Sequence, residues 1–408
     1  MDAIIKPSKI GGIISAPPSK SLTHRAIILA SLARGNSIIS NPLLSEDTRC
    51  TINACQKFGT KIDIKSNKLE ITGTNGHFPR KLSPIKIFCG LSGTTMRLIT
   101  AVAGLNPTQV NLTGDKRLLE RPIGHLIDAL KKLGIDAKAT KKNFPPIKVK
   151  GGNLRGGKIT ISGDISSQFI SALLIISPFA KEDMEITVQN LQSAPYVDIT
   201  IDVMKKFGVE VIQNKNSYFI KSGQKYKARN YEVEGDYSSA SYLFAAASIT
   251  HSKVKVKNLN PNSVQGDKFF LDILKKMNDK ERHLDLGNYP DLVPTVSVIA
   301  ASQNGTTTIT HIGHLRLKES DRINAIAKEL TKMGKNVHTR KDSITIDRGR
   351  LIGATIETHN DHRLAMSFAI AGLVAEGKTI IKKAEVVNKS YPNFWKDLIK
   401  IGANVKFL

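Results

Sequence analysis

Two helical patterns alternate along the chain. In the first, small and apolar residues cover every face and the run opens on Ser, Thr, Asp or Arg. These starts lie near Ser21-Leu22-Thr23-His24-Arg25, Gly93-Thr94-Thr95-Met96-Arg97, Ser166-Ser167-Gln168, Ser238-Ser239-Ala240-Ser241, Asp291-Leu292-Val293-Pro294 and Asp361-His362-Arg363. A helix with no polar face is a buried one. In the second pattern apolar positions recur with a helical period, the run ends at or near Gly, and an alternating strand follows at once. Residues 51–59 lead into 61–64, 126–134 into 135–137, 199–208 into 209–212, 323–334 into 336–337 and 394–402 into 404–405. Glycine takes the left-handed cap that lets a helix turn directly into a strand. A sixth, weaker copy runs from Phe269 through Met277-Asn278 into 283–286, with Asn in the place of Gly.

These patterns assemble into a repeat. Each copy reads strand, helix, strand, helix, strand, strand over roughly 55 to 75 residues, too long for a solenoid of single hairpins. Six copies make an α/β (α+β) chain of two similar domains, each of three βαβαββ units. Pro17-Pro18 rule out regular helix ahead of the first small-residue helix, and Tyr231-Glu232-Val233-Glu234-Gly235-Asp236 separates the third copy from the fourth. Residues 1–16 hold strand-like stretches at 2–6 and 10–15 that precede any complete copy and are available to complete the final one. The expected domains are 19–233 and a discontinuous body of 1–18 with 234–408, with the active site in the cleft between them.

With 408 residues and 40% hydrophobic content, the chain can bury two sizeable cores. It lacks an apolar run of membrane-spanning length and a signal-peptide pattern at its start, so a soluble, cytoplasmic protein with no membrane partner is expected. Cys50, Cys55 and Cys89 have no zinc-ligand spacing and read as small buried hydrophobes; no metal is expected. A formal net charge of +25 raises the question of a nucleic-acid partner. Against it, the lysines are scattered as doublets such as Lys131-Lys132, Lys205-Lys206 and Lys275-Lys276, and the 6% aromatic content is poor provision for stacking on bases. The charge reads as a solvated lysine-rich surface, without a specific nucleic acid.

The chemistry concentrates at the first set of helix starts. A helix start offers unpaired N–H groups and a partial positive charge, so several of them with Arg and Lys added suit multiply charged phosphates or carboxylates. Lys20-Ser21 and Arg25 put two cations and a hydroxyl at one such start, although plain capping also explains the string. Gly93-Thr94-Thr95-Met96-Arg97 follows strand-like residues 85–88 with a bare backbone at the turn. It lacks the Walker ending and the GxGxxG spacing, so nucleotide binding is not supported. Arg121 is placed at the N-terminal edge of a helix whose first position is Pro122. The dipole disfavours Arg there, which leaves an anion ligand and a structural choice both open. Ser166-Ser167-Gln168 and Ser193-Ala194-Pro195-Tyr196 offer more polar groups than capping needs. Lys318-Glu319-Ser320-Asp321-Arg322 and Asp361-His362-Arg363 are charge-dense helix starts, either solvated or functional. Asp291 can cap the helix after it or act as a base, and Lys389 adds a cation on a loop.

Taken in order, Lys20-Ser21 with Arg25, Gly93-Thr94 with Arg97, Glu120-Arg121-Pro122-Ile123-Gly124, Ser166-Ser167-Gln168, Tyr196-Val197-Asp198, Glu234-Gly235-Asp236-Tyr237-Ser238-Ser239-Ala240, Pro290-Asp291, Lys318-Glu319-Ser320-Asp321-Arg322, Asp361-His362-Arg363 and Lys389 resemble the 5-enolpyruvylshikimate-3-phosphate synthase family nearly end to end. The resemblance implies the enolpyruvyl transferase fold, an inside-out α/β barrel in two three-unit domains. It implies transfer of the enolpyruvyl (1-carboxyvinyl) group of phosphoenolpyruvate to the 5-hydroxyl of shikimate 3-phosphate, with release of phosphate, in the shikimate pathway to chorismate and the aromatic amino acids. No cofactor is implied, glyphosate is implied as an inhibitor in the phosphoenolpyruvate pocket, and a monomer acting on its two small-molecule substrates is expected. The positions that match the family's ligands of shikimate 3-phosphate are Lys20, Ser21, Arg25, Ser166, Ser167, Gln168, Ser193, Tyr196, Asp291, His314 and Lys318. Those that match its ligands of phosphoenolpyruvate are Lys20, Gly93, Arg121, Gln168, Glu319, Arg322, Arg363 and Lys389. The resemblance makes Asp291 the partner of the 5-hydroxyl and Lys20 and Glu319 the candidates for moving the methyl-group proton.

Two positions depart from the commoner pattern. Leu91 stands where the family usually has Asn, and His314 where an Asn often contacts shikimate 3-phosphate; neither removes a charge the chemistry requires. The sister transferase acting on UDP-N-acetylglucosamine usually carries a catalytic Cys or Asp on a loop ahead of the segment matched by Arg121, and Lys-Asn at its first motif. This chain has Lys20-Ser21 and no Cys after Cys89. RNA-terminal phosphate cyclases use related repeat units, which makes an RNA-binding or RNA-end-processing protein the alternative of a different class.

Overall fold

A computed structural model describes residues 1–408 except 278 and 348. The chain divides into two compact units, one of Met1–Ser19 with Glu234–Leu408 and one of Lys20–Val233. The first unit opens with strands β1 (Ala3–Lys6) and β2 (Gly12–Ser15).

The continuous unit then runs through α1 (Lys20–Leu32), β3 (Arg34–Ser40), α2 (Glu46–Lys57), β4 (Lys61–Lys65) and β5 (Lys68–Thr74). Next come β6 (Ile85–Phe88), α3 (Gly93–Ala103), β7 (Val110–Thr113), the short α4 (Lys116–Leu119), α5 (Gly124–Lys132), β8 (Asp136–Lys141) and β9 (Phe144–Lys150). A third passage holds β10 (Gly157–Ser162), α6 (Gln168–Ile176), β11 (Met184–Gln189), α7 (Pro195–Lys206), β12 (Ile212–Asn214) and β13 (Ser217–Ile220), followed by β14 (Asn230–Glu232). Three four-stranded sheets result, ordered β14-β3-β5-β4, β6-β7-β9-β8 and β10-β11-β13-β12. In each, the first two strands are parallel and the last two form an antiparallel hairpin.

Back in the discontinuous unit, α8 (Tyr237–Ile249), β15 (Val254–Lys257) and α9 (Phe270–Lys276) lead to β16 (Glu281–Asp285), α10 (Val293–Ser302), β17 (Thr306–Thr310), α11 (Arg322–Lys332), β18 (Val337–Thr339) and β19 (Ser343–Ile346). The chain finishes with β20 (Thr355–Ile356), α12 (His362–Ala371), β21 (Thr379–Ile381), α13 (Phe394–Lys400) and β22 (Asn404–Phe407). The sheets are β16-β17-β19-β18, β20-β21-β1-β22 and a two-stranded β15-β2.

The two helical patterns have two structural fates. Helices of the small-residue kind are interior: every residue of α6 after Gln168 is buried, and α10 and α12 are buried along almost their whole length. They form the centre of each unit's hydrophobic core. Amphipathic helices lie outside, with Lys131, Lys132, Lys205 and Lys206 exposed. Gly59 and Gly334, which end two of them, have φ of 102° and 81°, a left-handed conformation that a side chain resists.

Four sequence expectations change. Tyr231-Glu232, read as a separator, lies in β14, which pairs parallel with β3 and supplies the first unit's leading strand. Of residues 209–212 only Ile212 is in a strand, because the Gln224 side-chain amide takes the Glu210 N–H and C=O at 2.8 and 3.0 Å in place of a neighbouring strand. The opening strands are shared out: β1 completes the sixth unit between β21 and β22, whereas β2 pairs with β15 of the fourth. Residues 283–286 do not follow α9 as a hairpin strand of the fourth unit; they fall mainly in β16, the parallel partner of β17 in the fifth sheet. The fourth unit therefore has no hairpin among the described residues. Asn278, proposed as its helix cap, lies outside the described residues.

Candidate active site

In the unit Lys20–Val233 the buried helices present polar groups at their N-terminal turns. Arg25, one turn into α1, is only 1% exposed. Its Nε donates to Thr200 Oγ1 at 2.7 Å, and its Nη atoms donate to Ser21 O, Ser171 Oγ and Tyr196 O at 3.0, 3.3 and 2.9 Å. All four partners are neutral, and burial pulls the guanidinium down to about 10. A buried cation with only neutral partners suits an anionic ligand, since desolvation without a counter-charge is costly. Ser193, held at φ 58° just before α7, has a buried hydroxyl with no hydrogen-bond partner among the described residues. Ser166 accepts the Gln168 N–H at 3.3 Å, and Ser167, equally buried, makes no side-chain cap.

Gln168 is fixed at both ends of its amide. Its Oε1 accepts from Arg97 at 2.7 Å and its Nε2 donates to Thr94 Oγ1 at 2.9 Å, while the Arg97 guanidinium lies 5.5 Å above the Phe169 ring. Gly93, the first residue of α3, faces Arg121. A methyl built on Gly93 would stand 2.6 Å from Arg121 Nη1, so the bare backbone is what admits the guanidinium. Lys20, the first residue of α1, pairs with Asp47 Oδ2 at 3.2 Å. Beneath it His24 is fully buried, pushed down to about 3 by burial, and so neutral; its Nδ1 is 2.7 Å from Thr51 Oγ1, which continues to Thr95 and Ser92 at 2.7 and 2.8 Å. That chain of hydroxyls ties the starts of α1 and α3 together.

The discontinuous unit carries a compact ion cluster. Arg322, 1% exposed, donates to Asp361 Oδ2 at 2.8 Å, Asp291 Oδ1 at 3.1 Å and Glu319 Oε2 at 2.8 Å. Arg363 donates to Asp291 Oδ2 and Ser238 Oγ, both at 2.6 Å, and to Tyr242 OH at 3.3 Å. Lys389 reaches Glu319 Oε1 at 3.2 Å. Asp291 thus bridges two guanidiniums, and Glu319 bridges a guanidinium and an ammonium. Burial alone would lower Arg322, but the carboxylates of Asp361, Glu319 and Asp291 outweigh it and raise the group above its ordinary value. His314 lies close enough to feel Lys318, Arg322 and Asp291. Burial, then the two cations, push it down to about 3, so its imidazole is neutral, and its Nε2 is buried without a partner among the described residues.

Several local readings are corrected. Helix α5 starts at Gly124 with Ile123 as its N-cap, so Pro122 is not in its first position and Arg121 is not at its edge. Arg121 instead follows the C-terminus of α4, its N–H on Leu118 O at 3.2 Å, where the dipole favours a cation. The dipole argument for Arg121 as a ligand therefore falls, and its closeness to Gly93 replaces it. Asp291 does not cap α10, whose N-cap is Leu292. Arg322 and Arg363 are buried rather than solvated, and Lys389, 4% exposed, ends a 3₁₀ turn over Ala384–Lys389 instead of sitting on an open loop. Sequence reasoning did not single out Asp47, Ser171, Thr200 or Tyr242. Ser171 and Thr200 leave a legible trace as hydroxyls on the apolar faces of helices, whereas an acid in a first helical turn, as Asp47 is, has the ordinary explanation of the dipole.

Repeated βαβαββ sheets around buried helices, with arginines at the helix starts and bridging carboxylates among them, suit the handling of small polyanions. The sequence profile described as EPSP synthase (3-phosphoshikimate 1-carboxyvinyltransferase) matches residues 4–398. The 3-phosphoshikimate 1-carboxyvinyltransferase of Methanococcus vannielii is 42% identical over 99% of this chain and 99% of its own, and that of Methanocaldococcus jannaschii 43% identical over 98% of each. A solved structure of EPSP synthase from Acinetobacter baumannii superposes with a TM-score of 0.84 at 27% identity, covering both chains completely. The chain belongs to the EPSP synthase family. It is a 3-phosphoshikimate 1-carboxyvinyltransferase, which sets aside the UDP-N-acetylglucosamine and RNA alternatives; its substrates are shikimate 3-phosphate and phosphoenolpyruvate. Among the described residues no helix is long and apolar enough to cross a membrane.

Proposed function

We propose that Asp291 takes the proton of the attacking 5-hydroxyl and that Lys20 and Glu319 move the methyl-group proton at C3 of phosphoenolpyruvate. The oxygen–C2 bond forms as C3 gains a proton; in the second half C3 returns it and the bond to phosphate breaks. Arg121, Arg322, Arg363 and Lys389, with Gly93 and Gln168, hold phosphoenolpyruvate. Ser21, Arg25, Ser166, Ser167, Gln168, Ser193, Tyr196, His314 and Lys318 hold shikimate 3-phosphate. The setting of this reaction is a cytoplasmic monomer with no specific nucleic-acid partner.

The observation that carries this reading is the Asp291 carboxylate shared between Arg322 and Arg363. An incoming carboxylate or phosphate offers those planar forks the same two-point contact. As it takes them over, Asp291 is left as an acceptor for the substrate hydroxyl, so binding of one substrate prepares the base for the other. The test is Asp291→Asn, followed by phosphate release from the two substrates. The amide keeps the shape but cannot accept a proton into a carboxylate, so kcat falls about 100- to 10,000-fold. Because the competing negative charge is gone, KM for phosphoenolpyruvate does not rise. A variant with unchanged kcat removes Asp291 from the reaction.

A further inference from the structure

The fourth βαβαββ unit is open where its five counterparts are closed. In each of the other sheets the second strand has an antiparallel neighbour on its far side: β5 beside β3, β9 beside β7, β13 beside β11, β19 beside β17 and β1 beside β21. Strand β15 pairs only with β2, and among the described residues no strand lies along its other edge. The missing hairpin is not a frayed end. The connection from α9 to β16 is fastened by Arg282, 4% exposed, which donates to Met277 O and Asp279 O at 2.7 Å and to Asn304 O and Thr307 Oγ1 at 2.8 Å.

The open edge has consequences for side chains and backbone alike. Inward-facing residues on the second strands elsewhere, such as Leu112, Ile186, Ile309 and Ile381, are fully buried, whereas Val254 and Val256 are covered only in part. Gly12 and Ala16 donate to Lys253 O and Lys257 O, so the odd-numbered residues of β15 turn their backbone to β2. Val254 and Val256 therefore turn their N–H and C=O groups outward. Lys253, Lys255 and Lys257 stand exposed on the opposite face of the strand, two residues apart, with the exposed Ile13 across from Lys255.

We propose that the outer edge of β15 receives an extended acidic segment of a partner protein as an antiparallel strand. The five closed sheets supply the geometry: a short strand with apolar residues facing inward over Val254 and Val256, its main chain bonded to theirs. Three lysines on the outer face supply the charge, pairing across the sheet with acidic residues of the incoming strand. The same lysines oppose a second copy of this chain, since antiparallel self-pairing would set lysine against lysine, and lysine is a common guard of strand edges.

Hydrogen exchange of the full chain tests this, with a capped peptide of alternating glutamate and valine as the probe. The Val254 and Val256 amides are expected to slow about tenfold at saturating peptide, with the rest of the chain unaffected. A Lys253→Glu, Lys255→Glu, Lys257→Glu variant, altered only at exposed positions, is expected to lose that protection and to gain it from the matching lysine–valine peptide. No slowing at millimolar peptide overturns the proposal, as does equal slowing by both peptides. Slowing that instead follows the protein's own concentration, without peptide, assigns the edge to a second copy and overturns the acidic partner.

Discussion

Replacing Gly93 by alanine separates a turn residue from a residue that makes room for chemistry. Gly93 does not have a positive φ, so its backbone accepts a side chain and the usual reason for glycine is absent. The added methyl would meet Arg121 at 2.6 Å from Nη1, 3.0 Å from Cζ and 3.2 Å from Nη2, and the guanidinium must retreat by about 0.8 Å to reach an ordinary 3.4 Å contact. Arg121 is a flexible arm, so the fold tolerates this: the gain from a less flexible unfolded chain, about 0.4–1 kcal/mol, offsets much of the strain, and Tm moves by no more than about 4 °C. The proposed anion contact tolerates it less well. Losing one charge-assisted hydrogen bond costs about 1.5–3 kcal/mol, a rise of about 10- to 150-fold in KM for phosphoenolpyruvate. Glyphosate, expected in the same pocket, should lose inhibition alongside. Steady-state kinetics with each substrate varied, a shikimate 3-phosphate titration and a thermal melt form the assay. An unchanged KM for phosphoenolpyruvate, or a large fall in Tm, would refute the reasoning, because either puts the methyl somewhere other than against a working Arg121.

Three further outcomes are expected. Ser193→Ala removes a buried hydroxyl that has no hydrogen-bond partner among the described residues; calorimetry should show the variant as stable as the parent or about 1 kcal/mol more so, while KM for shikimate 3-phosphate rises about tenfold. Arg363→Lys keeps the charge but replaces a fork that grips Asp291 and Ser238 with a single point, and phosphoenolpyruvate saturation curves should shift about tenfold to higher concentration. Glu329, fully buried, accepts from Lys332 Nζ at 2.6 Å, His359 Nε2 at 2.8 Å and the Glu357 N–H at 3.1 Å; burial acts to raise its carboxyl, but these donors outweigh it and hold it below the usual 4.5. A depressed carboxyl adds stability that is complete above about pH 4.5 and is lost as pH falls through the lowered folded value, so Glu329→Gln should flatten the acid limb of a denaturation-midpoint profile.

How far the sequence carried depended on the range of the signal. Helices α1, α3, α6, α8, α10 and α12 were legible because an all-apolar surface is a local property, and the glycine-capped helices because the cap is one residue long. What failed was anything decided by a distant partner. Tyr231-Glu232 looked like a linker because strand β3, which it joins, lies nearly 200 residues earlier. The fourth unit's hairpin was read into 283–286 because a strand's sequence does not say which neighbour it will choose, and the fifth sheet claimed it. Residues 209–212 had strand composition, but the Gln224 amide satisfied the backbone first. At the candidate site the charged residues stood out by type, whereas Thr200 and Ser171, which fix Arg25, are chemically modest and gain meaning only from the cation between them.

The ion cluster of the discontinuous unit contains three cations, Arg322, Arg363 and Lys389, against three carboxylates, Asp291, Glu319 and Asp361. The carboxylates are not equivalent. Asp361 is fully buried, takes Arg322 Nε and Ser320 Oγ, and caps α12 through the Arg363 N–H, so moving it would unmake a helix start as well as an ion pair. Asp291 and Glu319 keep 23% and 14% of their side-chain surface open, neither is the N-cap of the helix that follows it, and each spans two cations. In the proposed reading the N-caps Leu292 and Asp321 stay in place while a substrate anion displaces Asp291 and Glu319. Their partners cannot easily follow, because the Arg322 guanidinium stays pinned by Asp361 and the Arg363 guanidinium by Ser238. The arrangement therefore holds the cations in position while leaving the carboxylates free to exchange partners, which is what a site needs if the same acids that neutralise its arginines are afterwards to handle protons.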